Sequence, residues 1–223
     1  MNPFFAALRF TKAGASMGQY GCWLLVAIAS WLLAPAPALA HHPLDGALPS
    51  NGLEGLLSGL GHPVIGLDHL AFVVAAGLLA AAMGRGLGLP LVFVAAAVGG
   101  TGLHLMGFDL PALEFTLAAS VLVFGGLLAR SGQPSVVLVL GLMAIAGLFH
   151  GYAYGEAIIG AEPTPLGAYL LGFTTGQWAI AAIAHRLGKR WVSGHEAYSL
   201  PLRFAGFTLA GIGGALVSGV LLG

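Results

Sequence analysis

Residues 61–83, from Gly61 to Met83, read GHPVIGLDHLAFVVAAGLLAAAM. From Leu70 onward the stretch has no charged or hydrogen-bonding side chain, as a helix surrounded by hydrocarbon requires. At its mouth sit His62, Asp68 and His69. Ionisable groups are costly inside a bilayer, so three within eight residues mark a site, and their chemistry points to a metal ion.

The rest of the chain agrees with a membrane setting. Apolar residues make up 58% of the 223 and charged residues only 7%, with mean hydropathy +0.93. That composition belongs to an integral membrane protein. Eight acids balance eight bases, so no electrostatic attraction to nucleic acid is expected. Cys22 is the single cysteine, which rules out thiolate clusters.

Residues 1–40 resemble an export signal. Arg9 and Lys12 precede an apolar stretch from Cys22 to Leu33, and Ala38 and Ala40 fit a small-x-small cleavage site. Cleavage after Ala40 would make His41 and His42 a new N-terminus. An uncleaved anchor helix is the alternative, and both place the following chain on the non-cytoplasmic face.

Six apolar runs follow, at about Pro63 to Met83, Leu89 to Met106, Ala112 to Ala129, Val136 to Ile158, Leu166 to Leu187 and Leu202 to Leu222. Each approaches the ~20 residues needed to cross ~30 Å of hydrocarbon. Their short connections carry Gly and Pro, and none could hold a soluble domain. The expected fold is therefore all-α: a polytopic membrane protein with one domain of six transmembrane helices over residues 41–223, after the signal peptide. With residue 41 outside, Arg85, Arg130, Arg186, Lys189, Arg190 and Arg203 all fall at cytoplasmic borders, as the positive-inside rule requires. This places the chain in a bacterial-type inner membrane with both mature termini on the non-cytoplasmic side.

Glycine occupies 36 positions, which in membrane helices permits close approach. In the last span Gly206, Ala210, Gly214 and Ser218 form one row, and Gly211, Ala215 and Gly219 a second. Both read as packing faces, and such faces could also pair copies of the chain.

Topology assigns each ionisable residue a depth. His62, Asp68 and His69 fall in the outer part of the first span, His104 near the outer end of the second, and Glu114 at the start of the third. His150, Tyr154 and Glu156 reach the same level in the fourth. Glu114 also has a purely structural reading, as a negative charge at the positive end of the helix dipole. His185 beside Arg186 reads as solvated and interfacial, as do His195 and Glu196 in the loop. Gln177, with Thr174 and Thr175, could continue a polar path inward or bond a neighbouring helix. On a straight helix His62 and His69 share a face but stand about 10.5 Å apart along the axis. That is too far to share an ion at about 2 Å from each nitrogen. Either the helix breaks at Pro63 and Gly66 and folds His62 over the site, or His62 is an entry position above Asp68 and His69.

These residues resemble a known family. His62-Pro63, Gly66 and Asp68-His69 match the His-Pro-x-x-Gly-x-Asp-His pattern of the HupE/UreJ nickel or cobalt permeases. The run Phe149-His150-Gly151-Tyr152-Ala153-Tyr154-Gly155-Glu156 is similar to that family's fourth-helix motif, although many members have histidine where this chain has Tyr154. The resemblance implies uptake of a divalent metal, nickel for hydrogenase or urease or cobalt for cobalamin. A ligand set of nitrogen and oxygen without thiolate suits nickel, cobalt or zinc and disfavours copper(I). The expected order of events is capture by His41 and His42, transfer through His62 to Asp68 and His69, and completion of the shell by His104, His150 and Glu156.

Two other readings use the same residues. In an intramembrane metallohydrolase, Asp68, His69 and His150 would hold zinc while Glu156 activates water. In a haem carrier, His104 and His150 would be axial ligands.

Overall fold

The computed structural model describes residues 47–192 and 198–223; the signal segment, His41, His42, His195 and Glu196 lie outside the described residues. Among the described residues there are seven helices and no strand: α1 Gly52–Ile65, α2 Leu67–Ala82, α3 Gly88–Leu105, α4 Leu113–Ala129, α5 Val136–Glu156, α6 Pro163–Trp191 and α7 Leu200–Leu222.

Helices α3, α5, α6 and α7 are each long and apolar enough to cross a membrane. The first expected span is different: α1 and α2 satisfy that condition only together, and they are bent by 78° at Gly66. Counted as one span, the bent pair brings the candidate spans among the described residues to five, and Leu113–Ala129 is a shorter apolar helix. With 17 residues, α4 is about 25 Å long, short of the ~30 Å of hydrocarbon. Several apolar helices of this kind fit a multi-pass membrane protein.

The first helix begins well before the expected Pro63. Asn51 caps it by accepting from the Glu54 backbone N–H at 3.0 Å, and the Glu54 carboxylate accepts from the Ser50 backbone N–H at 2.7 Å. This is close to a capping box, shifted by one residue. Leu53, Leu57, Leu60 and Val64 are exposed along one side of α1, while Gly55, Ser58, Gly59 and His62 are buried along the other. The polar and small face turns inward, as it does where the surroundings are lipid.

At the centre lies α2, packed by α1, α3, α4, α6 and α7. It is buried on nearly every side from Ala71 to Ala82, which explains why its sequence is apolar all round. The closest helix pairs are α3 with α5, α4 with α7 and α1 with α6. Small residues make each approach possible: Gly100 abuts the Leu148 carbonyl and Gly151 that of Ala97 in the first pair, while Gly59 abuts that of Tyr169 in the third.

The α7 seam departs from the expected four-residue rows. Gly206 and Gly213 press on the α4 backbone at Ala129 and Leu122, and Ala210 faces Gly125, whereas Gly211 and Gly214 face open space. A row of every fourth residue drifts by about 40° at each step at 3.6 residues per turn. Steps of four and then three keep 206, 210 and 213 on one line.

The basic residues gather at one end. Arg203 Nε donates to the Ala129 carbonyl at 3.0 Å, and His185 Nε2 donates to the Arg85 carbonyl at 2.8 Å. The first bond joins the end of α4 to the start of α7, and the second joins α6 to the turn that follows α2. His185 is therefore a buried tie between helices, in contrast to the solvated role expected from its neighbour Arg186.

Candidate metal site

The bend at Gly66 builds the site. Pro63 lies inside α1, and Gly66 leaves helical geometry with ψ 111° while its N–H still bonds the His62 carbonyl at 3.1 Å. Residue 67 then starts α2 in a new direction. The turn brings the His62 and His69 ring centroids to 5.5 Å, far closer than a straight helix would allow. Of the two sequence readings, the broken helix matches this geometry. A Cβ on residue 66 would stand 2.5 Å from His69 Cδ2 and 3.1 Å from Asp68 Oδ1, so glycine lets the imidazole fold down against the bend.

Three helices contribute the surrounding groups. His69 Nδ1 and His150 Nδ1 of α5 are 2.8 Å apart, and His150 Nε2 is 2.9 Å from Ser120 Oγ of α4. Ser120 in turn donates to the Leu117 carbonyl at 2.6 Å. On the other side Tyr169 of α6 donates to the Tyr154 carbonyl at 2.9 Å and meets His62 Nδ1 at 2.8 Å. The Tyr154 ring lies in the middle, 4.4 Å from His69 and 4.8 Å from His62.

Proton counting favours one set of tautomers. A hydroxyl has one proton, and a carbonyl can only accept. The Ser120 proton goes to Leu117, so His150 Nε2 must donate to Ser120, leaving the lone pair of His150 on Nδ1. His69 then carries its proton on Nδ1, shared towards His150. With the Tyr169 proton on the Tyr154 carbonyl, His62 Nδ1 donates to the Tyr169 hydroxyl. Two ring nitrogens that bind one ion at about 2.0–2.1 Å and at right angles stand roughly 2.9 Å apart. The His69–His150 spacing therefore suits an ion in place of the shared proton, provided the His69 proton moves to Nε2.

Ser120 follows as a positioning residue, because by accepting from Nε2 it leaves the lone pair of His150 on the Nδ1 that faces His69. Ser120→Ala is expected to weaken metal binding by about 10- to 100-fold, the usual cost of losing an outer-shell partner, while Ser120→Thr restores it. Metal titration of the detergent-purified protein would check this, and equal affinity in the alanine variant would contradict it.

The other expected ligands are placed elsewhere. His104 packs on Tyr152 at 4.1 Å and against Gly155, both about 140–160° around α5 from His150. Tyr152 donates to Asp109 at 3.4 Å, so His104 belongs to the α3–α5 seam. Glu114 and Glu156 are exposed. Tyr154, by contrast, is fully buried. Asp68 accepts from the His69 backbone N–H at 2.8 Å and is the acidic residue within Coulombic reach of His69 and His150. Among the described residues no three side chains of His, Cys, Asp and Glu form a ready cage, and the candidate site is the imidazole pair with His62 and Asp68 beside it.

Sequence reasoning missed Ser120 and Tyr169, whose uncharged hydroxyls blend into apolar spans. It also missed the aromatic floor. Phe72 lies 4.6 Å from both Phe93 and Phe124 and 4.8 Å from His150, sealing that side.

The family described as HupE / UreJ protein matches residues 28–216 of this chain. The chain is also 34% identical over 195 residues to Protein HupE of Rhizobium leguminosarum bv. viciae, across 84% of this chain and 94% of that relative. No solved structure matches.

Proposed function

The chain belongs to the HupE/UreJ family, and from that membership we propose that it is a permease whose substrate is a divalent transition metal, nickel or cobalt. The observation that carries this reading is the 2.8 Å spacing of His69 Nδ1 and His150 Nδ1, with His62 folded over them by the Gly66 bend. Neutral imidazoles cannot balance a divalent charge in a low-dielectric interior. Asp68 supplies the anion, and its position at the start of α2 also suits the helix dipole.

Zinc would fit the same donors by chemistry alone, and geometry selects among the three ions. His41 and His42 capture the ion on the non-cytoplasmic face, from which it passes to His62. The rival readings have less support: Glu156 is exposed, so it is poorly placed to activate water for a metallohydrolase, and His104 and His150 occupy different faces of the α5 surroundings, which does not suit two axial haem ligands.

Uptake into proteoliposomes, with nickel and cobalt in competition, tests the reading. The wild type is expected to accumulate the ion, and Asp68→Ala to lower the rate by at least about tenfold, as loss of a contact to a charged group implies. Undiminished flux in Asp68→Ala would sink the mechanism.

A further inference from the structure

Gln177 on α6 is fully buried, and among the described residues neither its amide oxygen nor its amide nitrogen has a hydrogen-bond partner. Such a group in a membrane interior is costly unless something else occupies its donor and acceptor sites. The nearby Thr175 hydroxyl does not serve it, because it donates back to Leu171 and Gly172 in its own helix.

Its position gives the orphaned amide a meaning. Gly77 of α2 abuts Ala181 of α6, and Gly188 abuts Ala81, so the two helices run in the same direction. Gln177, four residues before Ala181, is therefore level with Val73, one turn from His69 towards the basic end. Tyr169 and Phe173, on the two preceding turns of α6, wall the imidazole cluster: Phe173 stacks on Tyr154 at 5.2 Å. Gly176, beside Gln177, lies 3.5 Å from Pro63 Cγ when given a Cβ, under the end of α1. On the His150 side Phe72, Phe93 and Phe124 close the way.

We propose that Gln177 is the second station of the permeation path. Its amide oxygen takes the divalent ion, or a water bound to it, after the ion leaves the cluster of His62, His69 and His150. This rests on the permease reading and adds a transit ligand with no share in the first binding step. A carbonyl oxygen is a weaker ligand for these ions than imidazole, which suits a site that must release its cargo.

The test separates binding, stability and flux in the full-length chain. Gln177→Leu keeps similar volume and removes both polar atoms. Nickel binding measured by equilibrium dialysis in detergent is expected to stay within about twofold, and the Tm to hold or rise because an unsatisfied amide is gone. Nickel uptake into proteoliposomes is expected to fall roughly 10- to 100-fold, the worth of one contact to a charged group. Gln177→Glu, which retains an oxygen ligand, restores uptake at least in part. Wild-type flux in Gln177→Leu would overturn the proposal, as would a parallel loss of Tm, binding and flux, which marks a structural role. A wild type that neither binds nor carries nickel or cobalt would instead overturn the permease reading itself.

Discussion

Replacing His69 with alanine or asparagine is expected to bring metal uptake down to the level of empty vesicles. His69 is the hub of the cluster: its Nδ1 meets His150, and its ring lies against both His62 and Tyr154. Losing an outer-shell partner costs a metal site about 10- to 100-fold, and on the proposed reading losing this ring removes a ligand and the group that aligns two others. A fall of more than roughly 100-fold follows from that comparison. Asparagine is the sharper of the two variants. Its amide N–H can reach the position of Nδ1 and donate to His150, so the buried bond survives while the imidazole donor is lost. If asparagine retained a tenth of wild-type uptake, with normal Tm, ligation by His69 would be refuted.

The extent to which this arrangement could be anticipated depends on what each residue had to specify. Helices α3 to α7 begin and end within a few residues of the runs read from sequence, since lipid tolerates no break in apolar character. Helix α1 escaped that reading because Ser58, His62 and its glycines lower its hydropathy, though the Asn51–Glu54 cap and the stripe of Leu53, Leu57, Leu60 and Val64 were already written there. Depth along a span was also legible, and it correctly brought His150 level with His69.

Rotation about each helix axis was not legible, because it is set by the packing partner. His150 and Gly151 are neighbours in sequence, yet one faces the cluster and the other the α3 backbone. The same rotation sends His104 to Tyr152 rather than to the imidazole pair. The proton wiring through Ser120 and Tyr169 needed the positions of two carbonyls, and no residue pattern encodes those.

Gly151→Val is expected to have the largest effect on the fold itself. Any Cβ at position 151 falls on the Ala97 carbonyl, and the reciprocal position, Gly100, stands equally close to the Leu148 carbonyl. Both obstacles are backbone, so no rotamer change relieves them. Thr101 reinforces the contact by sharing its hydroxyl between the Ala97 and Gly151 carbonyls at 3.1 and 2.7 Å. Admitting valine would force α3 and α5 apart, breaking that bridge and the tight packing on which membrane helices depend. Overpacking in a core typically costs about 1–3 kcal/mol, and a backbone-to-backbone clash belongs at or above the upper end of that range. Because His150 precedes Gly151, a displaced α5 also carries its Nδ1 away from His69, and metal binding is expected to fail with the fold. Gly99 and Gly141, on the same two helices, face open space, so alanine at either should hold stability or raise it by up to about 1 kcal/mol. Thermal melts in detergent compare the three directly, and a Gly151→Val variant as stable as Gly99→Ala would mean that α3 and α5 do not meet along this seam.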